Sequence, residues 1–152
     1  MNCKCSLCPR MCMADREITT GYCGVKQTLR VARAALHFWE EPCISGEEGS
    51  GAVFFTGCNL RCVFCQNYQI ARAEQGKEIT VERLSTIFLE LQEKKANNIN
   101  LVTATHYVPQ VVEALKMAKS QGLHIPVVYN CGGYETVETL NLLEGLVDIY
   151  LP

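Results

Sequence analysis

The sequence lacks the features that would direct it to a membrane, to nucleic acid or out of the cell. Its apolar runs are far shorter than the ~20 residues of a membrane-spanning helix. Its 14 Lys and Arg are offset by 16 Asp and Glu, so no basic surplus favours a polyanion. The N-terminus lacks the apolar core of a signal peptide. We therefore predict a globular, cytoplasmic protein without a membrane or nucleic-acid partner.

Cysteine, by contrast, is abundant: the 152 residues include ten cysteines. Disulfides are the simplest use of so many, but thiols stay reduced in the cytoplasm, and short spacers are what metal ligation needs. The cysteines fall into an N-terminal group, a central group and two separate residues. The N-terminal group is Cys3, Cys5, Cys8, Cys12 and Cys23; the central group is Cys58, Cys62 and Cys65; Cys43 and Cys131 stand apart.

The central group has the spacing C-x3-C-x2-C, from Cys58 to Cys65. Three thiolates this close can hold three corners of a [4Fe–4S] cube. No fourth cysteine lies nearby in the sequence, so one iron would remain open to a ligand other than protein. The spacing therefore indicates a catalytic cluster rather than a simple electron carrier.

The N-terminal group includes the pattern C-x2-C-x3-C-x10-C, formed by Cys5, Cys8, Cys12 and Cys23. Glycines flank Cys23, as a tight metal-binding turn requires. Zinc and a second iron–sulfur cluster fit this pattern equally well, and free thiols in a mobile terminus are the alternative. We assign residues 1–50 to a small, irregular Cys-rich segment.

Residues 51–152 show a regular alternation of strand and helix patterns. Parallel strands joined by helices follow from this alternation, either in an open doubly wound sheet or in part of a β/α barrel. Both architectures bind ligands at the carboxyl ends of the strands. The central cysteines and the loops at 103–106 and 130–133 should line one such site. We predict strands at 52–55, 100–103, 125–129 and 147–151, and helices at 80–96, 108–121 and 134–144; residues 28–39 form either a strand pair or a short helix.

Three stretches resemble the radical S-adenosylmethionine (radical SAM) superfamily, in the branch related to pyruvate formate-lyase activating enzyme. They are Phe54-Phe-Thr-Gly-Cys-Asn-Leu-Arg-Cys-Val-Phe-Cys-Gln-Asn67, the N-terminal cysteine pattern, and Val102-Thr-Ala-Thr-His-Tyr-Val-Pro109. The resemblance implies a partial (β/α) barrel. Because the chain stops near its fourth strand, we expect an N-terminal fragment of such a barrel.

The resemblance also implies cofactors: a [4Fe–4S] cluster on Cys58, Cys62 and Cys65, and S-adenosylmethionine, cleaved reductively to a 5′-deoxyadenosyl radical. Phe64 matches the family's aromatic residue near the adenine, with a plain core residue as the alternative. Many relatives carry Gly-Gly-Glu after the second strand, to bind the methionine amino group. In this sequence Thr103-Ala-Thr105 takes that place, so the hydroxyls or backbone carbonyls of Thr103 and Thr105 are candidates for binding the amino group.

Two further residues lie in the predicted strand-end loops. Asn130, after the third strand, is a candidate for contact with the methionine carboxylate or the ribose. His106 is interpreted as a helix-start or surface residue, with a polar site residue as the alternative.

The resemblance implies an electron donor such as flavodoxin or ferredoxin. It leaves open whether the radical goes to a glycine of a partner protein, to a small molecule or to RNA. Two functions without radical catalysis are alternatives. One is a zinc-binding module built on the pairs Cys5/Cys8 and Cys62/Cys65. The other is an iron–sulfur electron carrier with Cys43 or Cys131 as a fourth ligand.

Overall fold

The computed structural model describes residues 4–152, so Cys3 lies outside the described residues. Six strands form one sheet in the order β3-β1-β2-β4-β5-β6. The strands are β1 Arg30–His37, β2 Ser50–Phe55, β3 Lys77–Glu78, β4 Ile99–Val102, β5 Val127–Asn130 and β6 Ile149–Leu151.

The parallel part of the sheet consists of β2, β4, β5 and β6, paired in that order. These are the four strands predicted from the sequence, each displaced by no more than two residues at either end. The mixed α/β fold and its partial-barrel arrangement are confirmed. Residues 28–39 contribute one strand, β1, which pairs antiparallel with β2 and carries the two-residue β3 on its other edge.

Two long helices connect the parallel strands. Helix α3 (Val81–Glu93) begins after Thr80, whose hydroxyl accepts a hydrogen bond from the Arg83 amide. Helix α4 (Val108–Ser120) follows a 3-10 turn at Thr105–Tyr107. Among residues 4–152, no helix combines the length and the apolar character needed to cross a bilayer. The helices are α1 Pro42–Ser45, α2 Tyr68–Ala71, α3 Val81–Glu93, α4 Val108–Ser120 and α5 Val137–Asn141.

The third predicted helix, at 134–144, is wrong at both ends, because α5 covers only Val137–Asn141. Thr136 is extended and caps the helix by accepting from the Thr139 amide. The carbonyl of Tyr134 accepts a hydrogen bond from the Asn59 side chain instead of joining a helix. A contact with the central cysteine loop therefore sets the start of this helix.

The two faces of the parallel sheet differ in character. Val53, Phe55, Leu101 and Tyr129 belong to the apolar core shared with the helices. The alternating positions on the other face include polar residues such as Asn130, and an open cavity lies there. We call this second face the concave face; it is the side on which a barrel would enclose a ligand.

The N-terminal segment packs against the same core as the sheet. Cys23, Val25 and Leu29 are buried in that core together with residues of β2 and β4. Lys4 and Asp15 form an antiparallel bridge that folds the first residues back on themselves. The Cys-rich segment is therefore continuous with the hydrophobic core of the sheet.

Candidate functional site

The loop carrying Cys58, Cys62 and Cys65 leaves the carboxyl end of β2, as expected from the sequence. The Leu60 amide donates a hydrogen bond to the Cys58 sulfur at 3.3 Å, and the Cys65 amide donates to the Cys62 carbonyl at 3.2 Å. Cys58 and Cys65 line a small cavity beneath the loop. Cys62 and Cys65 line a larger cavity beside it. The three thiols therefore border adjoining spaces at one end of the sheet.

The larger cavity has a volume of about 660 Å³ and lies on the concave face. Besides Cys62 and Cys65, its walls include Phe64, Thr103 and Asn130. Phe64 is 87% exposed, so the alternative interpretation of this ring as a core residue is wrong. The structure thus brings three of the four cofactor-binding candidates to one cavity with two of the cysteines.

The fourth candidate, Thr105, is directed elsewhere. It is buried, and its hydroxyl donates to the Glu135 carboxylate at 2.5 Å. Thr103 adopts a left-handed backbone conformation with φ 59°, and its amide donates to the Asn130 carbonyl at 2.9 Å. The turn at Thr103 separates the two threonines, so only Thr103 lines the larger cavity.

Sequence reasoning missed Glu40, which extends across the concave face. One oxygen of its carboxylate accepts from the side-chain amides of Asn100, at 3.1 Å, and Asn130, at 3.3 Å. The other polar atom of the Asn100 side chain, Oδ1, is buried and has no hydrogen-bond partner within residues 4–152. Glu40 follows β1, and only the antiparallel pairing of β1 with β2 brings it here, so no local motif indicated it.

His106 supports the start of the cysteine loop from below. Its Nε2 lies 2.8 Å from the Thr56 carbonyl oxygen, and the residue is buried. Burial lowers the pKa of His106 to about 3, so the ring is neutral and its Nε2 proton is donated to Thr56. The helix-start assignment is confirmed, whereas the surface position is wrong. His106 contacts the base of the loop and not the larger cavity.

The N-terminal cysteines lie next to this loop. The Cys58 amide donates to the Cys23 carbonyl at 3.2 Å. The Cys12 and Cys23 sulfurs both lie within 3.4 Å of the position that a Cβ on Gly21 would take. The Cys5 amide donates to the Ala14 carbonyl at 3.0 Å. Within the described part of the chain, no three Cys, His, Asp or Glu side chains are already gathered around the position of a single metal ion.

The donor set at Cys58, Cys62 and Cys65 fits an iron–sulfur cluster. All three are free cysteines in a loop that borders open space. A backbone N–H directed at a ligand sulfur, as at Cys58, is the kind of interaction that stabilises negative charge on a coordinating thiolate. A cluster is larger than a single ion and requires its thiolates to be farther apart.

A partial parallel barrel with three free cysteines after its first parallel strand defines a class of cluster-binding α/β proteins. The family model described as the radical SAM superfamily matches residues 52–151, and the chain belongs to this superfamily. No solved structure matches the chain.

The chain is also similar to two curated proteins. An uncharacterized protein of Methanocaldococcus jannaschii is 32% identical over 97% of this chain and 44% of that protein. A pyruvate formate-lyase-activating enzyme of Clostridium pasteurianum is 30% identical over 56% of this chain and 39% of that enzyme. The predicted relation to such activating enzymes is confirmed. The chain spans less than half the length of either relative.

Proposed function

We propose that this protein is a radical SAM enzyme that uses a cluster on Cys58, Cys62 and Cys65 to cleave S-adenosylmethionine. The observation that carries the proposal is the single cavity of about 660 Å³ shared by Cys62, Cys65 and three cofactor-binding candidates. When bound, the cluster supplies the electron that turns S-adenosylmethionine into methionine and a 5′-deoxyadenosyl radical. Family membership supports the same chemistry.

The residues around the cavity have distinct tasks in this proposal. Phe64 offers an exposed ring face on which an adenine packs. Thr103 offers a hydroxyl and a backbone carbonyl as acceptors for an ammonium group. One N–H of the Asn130 side-chain amide donates to the Glu40 carboxylate. The amide oxygen and the second N–H of Asn130 remain for a ribose or a carboxylate.

We further propose an activating role, in which the radical is passed to a glycine of a partner protein. Similarity to the activating enzyme of Clostridium pasteurianum supports this role. Reduction of the cluster would then require a low-potential electron donor such as flavodoxin or ferredoxin. The partner would approach the cavity from its open side, where Val63 and Phe64 are exposed.

The electron-carrier alternative with Cys43 as a fourth ligand is at odds with the fold. Cys43 lies in α1, whose carbonyls at Ile44 and Ser45 accept hydrogen bonds from Asn98 and Asn97. These asparagines immediately precede β4, so α1 lies at the amino ends of the parallel strands. The cysteine loop lies at their carboxyl ends.

The proposal is tested by anaerobic reconstitution with iron and sulfide, followed by S-adenosylmethionine and dithionite. We expect about four irons at this site and release of 5′-deoxyadenosine, measured by chromatography. Cys62→Ala should abolish that release, because it removes a cluster ligand. Cys43→Ala is the matched control and should retain it. A reconstituted wild-type chain that releases none, or a Cys62→Ala variant as active as wild type, would contradict the proposal.

A further inference from the structure

A buried positive charge without an acidic partner lies beneath the N-terminal segment. Arg16 is 5% exposed, and its guanidinium donates to the carbonyl oxygens of His106 at 2.5 Å and Lys26 at 2.7 Å. The ion pair found among residues 4–152 joins Arg83 and Glu90 and does not involve Arg16. Buried charges in proteins are normally paired, because an unpaired charge away from water is costly. The surroundings of Arg16 therefore favour an anion.

Thiols are the groups that lie beside this charge. A Cβ placed on Gly21 would lie 3.3 Å from the Cys12 sulfur, 3.4 Å from the Cys23 sulfur and 3.7 Å from the Arg16 side chain. The Cys12 and Cys23 sulfurs therefore border the same small space, which is open because Gly21 has no side chain. Cys5 lies on the backbone segment beside Cys12, because its amide donates to the Ala14 carbonyl at 3.0 Å and its carbonyl accepts from the Met13 amide at 3.1 Å.

We propose that Cys12 and Cys23, together with Cys5 and Cys8 drawn in on metal binding, form a second thiolate-ligated metal centre beside Arg16. Zinc and an iron–sulfur cluster share this ligand chemistry. Four thiolates around Zn²⁺, or around an oxidised [4Fe–4S] core, leave a net charge of about −2. The guanidinium of Arg16 offsets part of that charge. The second centre does not depend on the proposed radical chemistry.

The fourth thiol lies on a turn that is held near the other three. The Met11 amide donates to the Cys8 carbonyl at 3.0 Å, so Cys8 and Cys12 lie on one tight turn. Arg10, within that turn, stacks over the Tyr22 ring at 4.0 Å. Metal binding would draw this turn onto Cys23, because coordination and local folding are coupled at such sites.

The second centre would also stabilise the loop that carries Cys58, Cys62 and Cys65. The Cys58 amide donates to the Cys23 carbonyl, and the Arg10 guanidinium donates to the Asn59 carbonyl at 3.0 Å. Gly57 is in the left-handed region, with φ +92°, and a Cβ there would come within 2.7 Å of the Cys23 carbonyl oxygen. The N-terminal and central groups of cysteines are therefore in direct backbone contact. A metal that fixes the position of Cys23 would also fix the start of the central loop.

The test uses the full chain with Cys58, Cys62 and Cys65 all replaced by Ala, which removes the first site. We expect this chain to retain about one zinc, or about four irons after anaerobic reconstitution, measured by elemental analysis. Adding Cys12→Ala and Cys23→Ala should abolish that metal. Retention of metal after these additions, or a triple variant that holds neither zinc nor iron under both conditions, would overturn the proposal.

Control variants separate ligation from general damage. Cys43→Ala and Cys131→Ala, added to the same triple variant, should leave its metal content unchanged. Arg16→Gln should weaken zinc binding about tenfold in chelator competition, whereas Arg16→Lys retains most of it. Equal affinities for the Gln and Lys variants would overturn the role assigned to Arg16.

A measurement on the unmutated chain avoids variants that fail to fold. Metal loading should protect Cys5, Cys8, Cys12 and Cys23 from alkylation, as read by peptide mass spectrometry, while the exposed Cys43 remains reactive. Alkylation of these four cysteines at the same rate with and without metal would overturn the second centre, whatever the outcome of the 5′-deoxyadenosine assay.

Discussion

At the scale of single residues, two buried side chains support the base of the cysteine loop: a neutral His106 and a charged Arg16. His106 donates to the Thr56 carbonyl, and Arg16 donates to the His106 carbonyl. Neither role is evident from the sequence, where His106 follows a strand and Arg16 lies in an irregular segment. Burial of these two side chains is set by contacts that are 50 and 90 residues apart in the chain.

The buried His106 predicts a pH-dependent stability. Its pKa is about 3 in the folded protein and about 6.5 in an unfolded chain, so the unfolded state binds one more proton between these values. The contribution of His106 to stability is complete above about pH 6.5 and falls by about 1.4 kcal/mol per pH unit below it. His106→Gln should remove this slope, as measured by urea unfolding from about pH 7 to about pH 4.

His124→Gln provides the matched control for this experiment. His124 is exposed, so its replacement should leave the pH slope of the wild-type chain intact. If His106→Gln and wild type lose stability equally on acidification, His106 is not buried as a neutral ring.

At the scale of elements, α3 shows how local signals determine a helix. Thr80 satisfies the Arg83 amide, and the face of Leu84, Ile87 and Leu91 packs into the core. We expect Thr80→Ala to lower the free energy of unfolding by about 1 kcal/mol, because the Arg83 amide loses its cap. Chemical denaturation measures the change.

Thr86→Ala is the control for the cap. The Thr86 hydroxyl donates to the Glu82 carbonyl within the same exposed helix turn, where no free amide depends on it. Its loss should change stability by less than about 0.5 kcal/mol. Equal losses for the two variants would show that the cap does not stabilise α3.

The strands and long helices were predictable because their signals are local: apolar runs bounded by glycine, and a helical period with a cap. The single strand β1 and the short α5 were not. Pairing with β2 decides the first, and the hydrogen bond from Asn59 to Tyr134 shortens the second. The same contrast holds at the site, where the cysteine spacing predicted the loop, while Glu40 and the divergence of Thr103 from Thr105 depend on tertiary contacts.

At the scale of the whole molecule, the sheet ends in an edge strand, β6. Among the described strands, β6 pairs with β5 alone, and its Ile149 is 39% exposed. An exposed apolar edge strand is a template for pairing with another chain. We expect the chain to self-associate through β6, with Ile149→Lys shifting it toward the monomer in light scattering after size exclusion.

A control for this prediction places the same charge elsewhere. Ile18 is exposed and lies outside the sheet, so Ile18→Lys should leave the association unchanged. A chain that is already monomeric at micromolar concentration, or one that responds equally to both substitutions, would contradict an edge-to-edge contact.

The hydrogen bonds at the start of the cysteine loop impose an order in time on the maturation of the protein. Successive backbone amides at positions 56, 57 and 58 donate to the carbonyls of Arg30, Ile70 and Cys23, respectively. None of these partners is a sequence neighbour, and each bond can form only when the intervening chain has been closed into a loop. During synthesis, the loop cannot take its final shape before His106 has left the ribosome. A cluster on Cys58, Cys62 and Cys65, as proposed above, would therefore be assembled on a loop that these backbone contacts have already shaped.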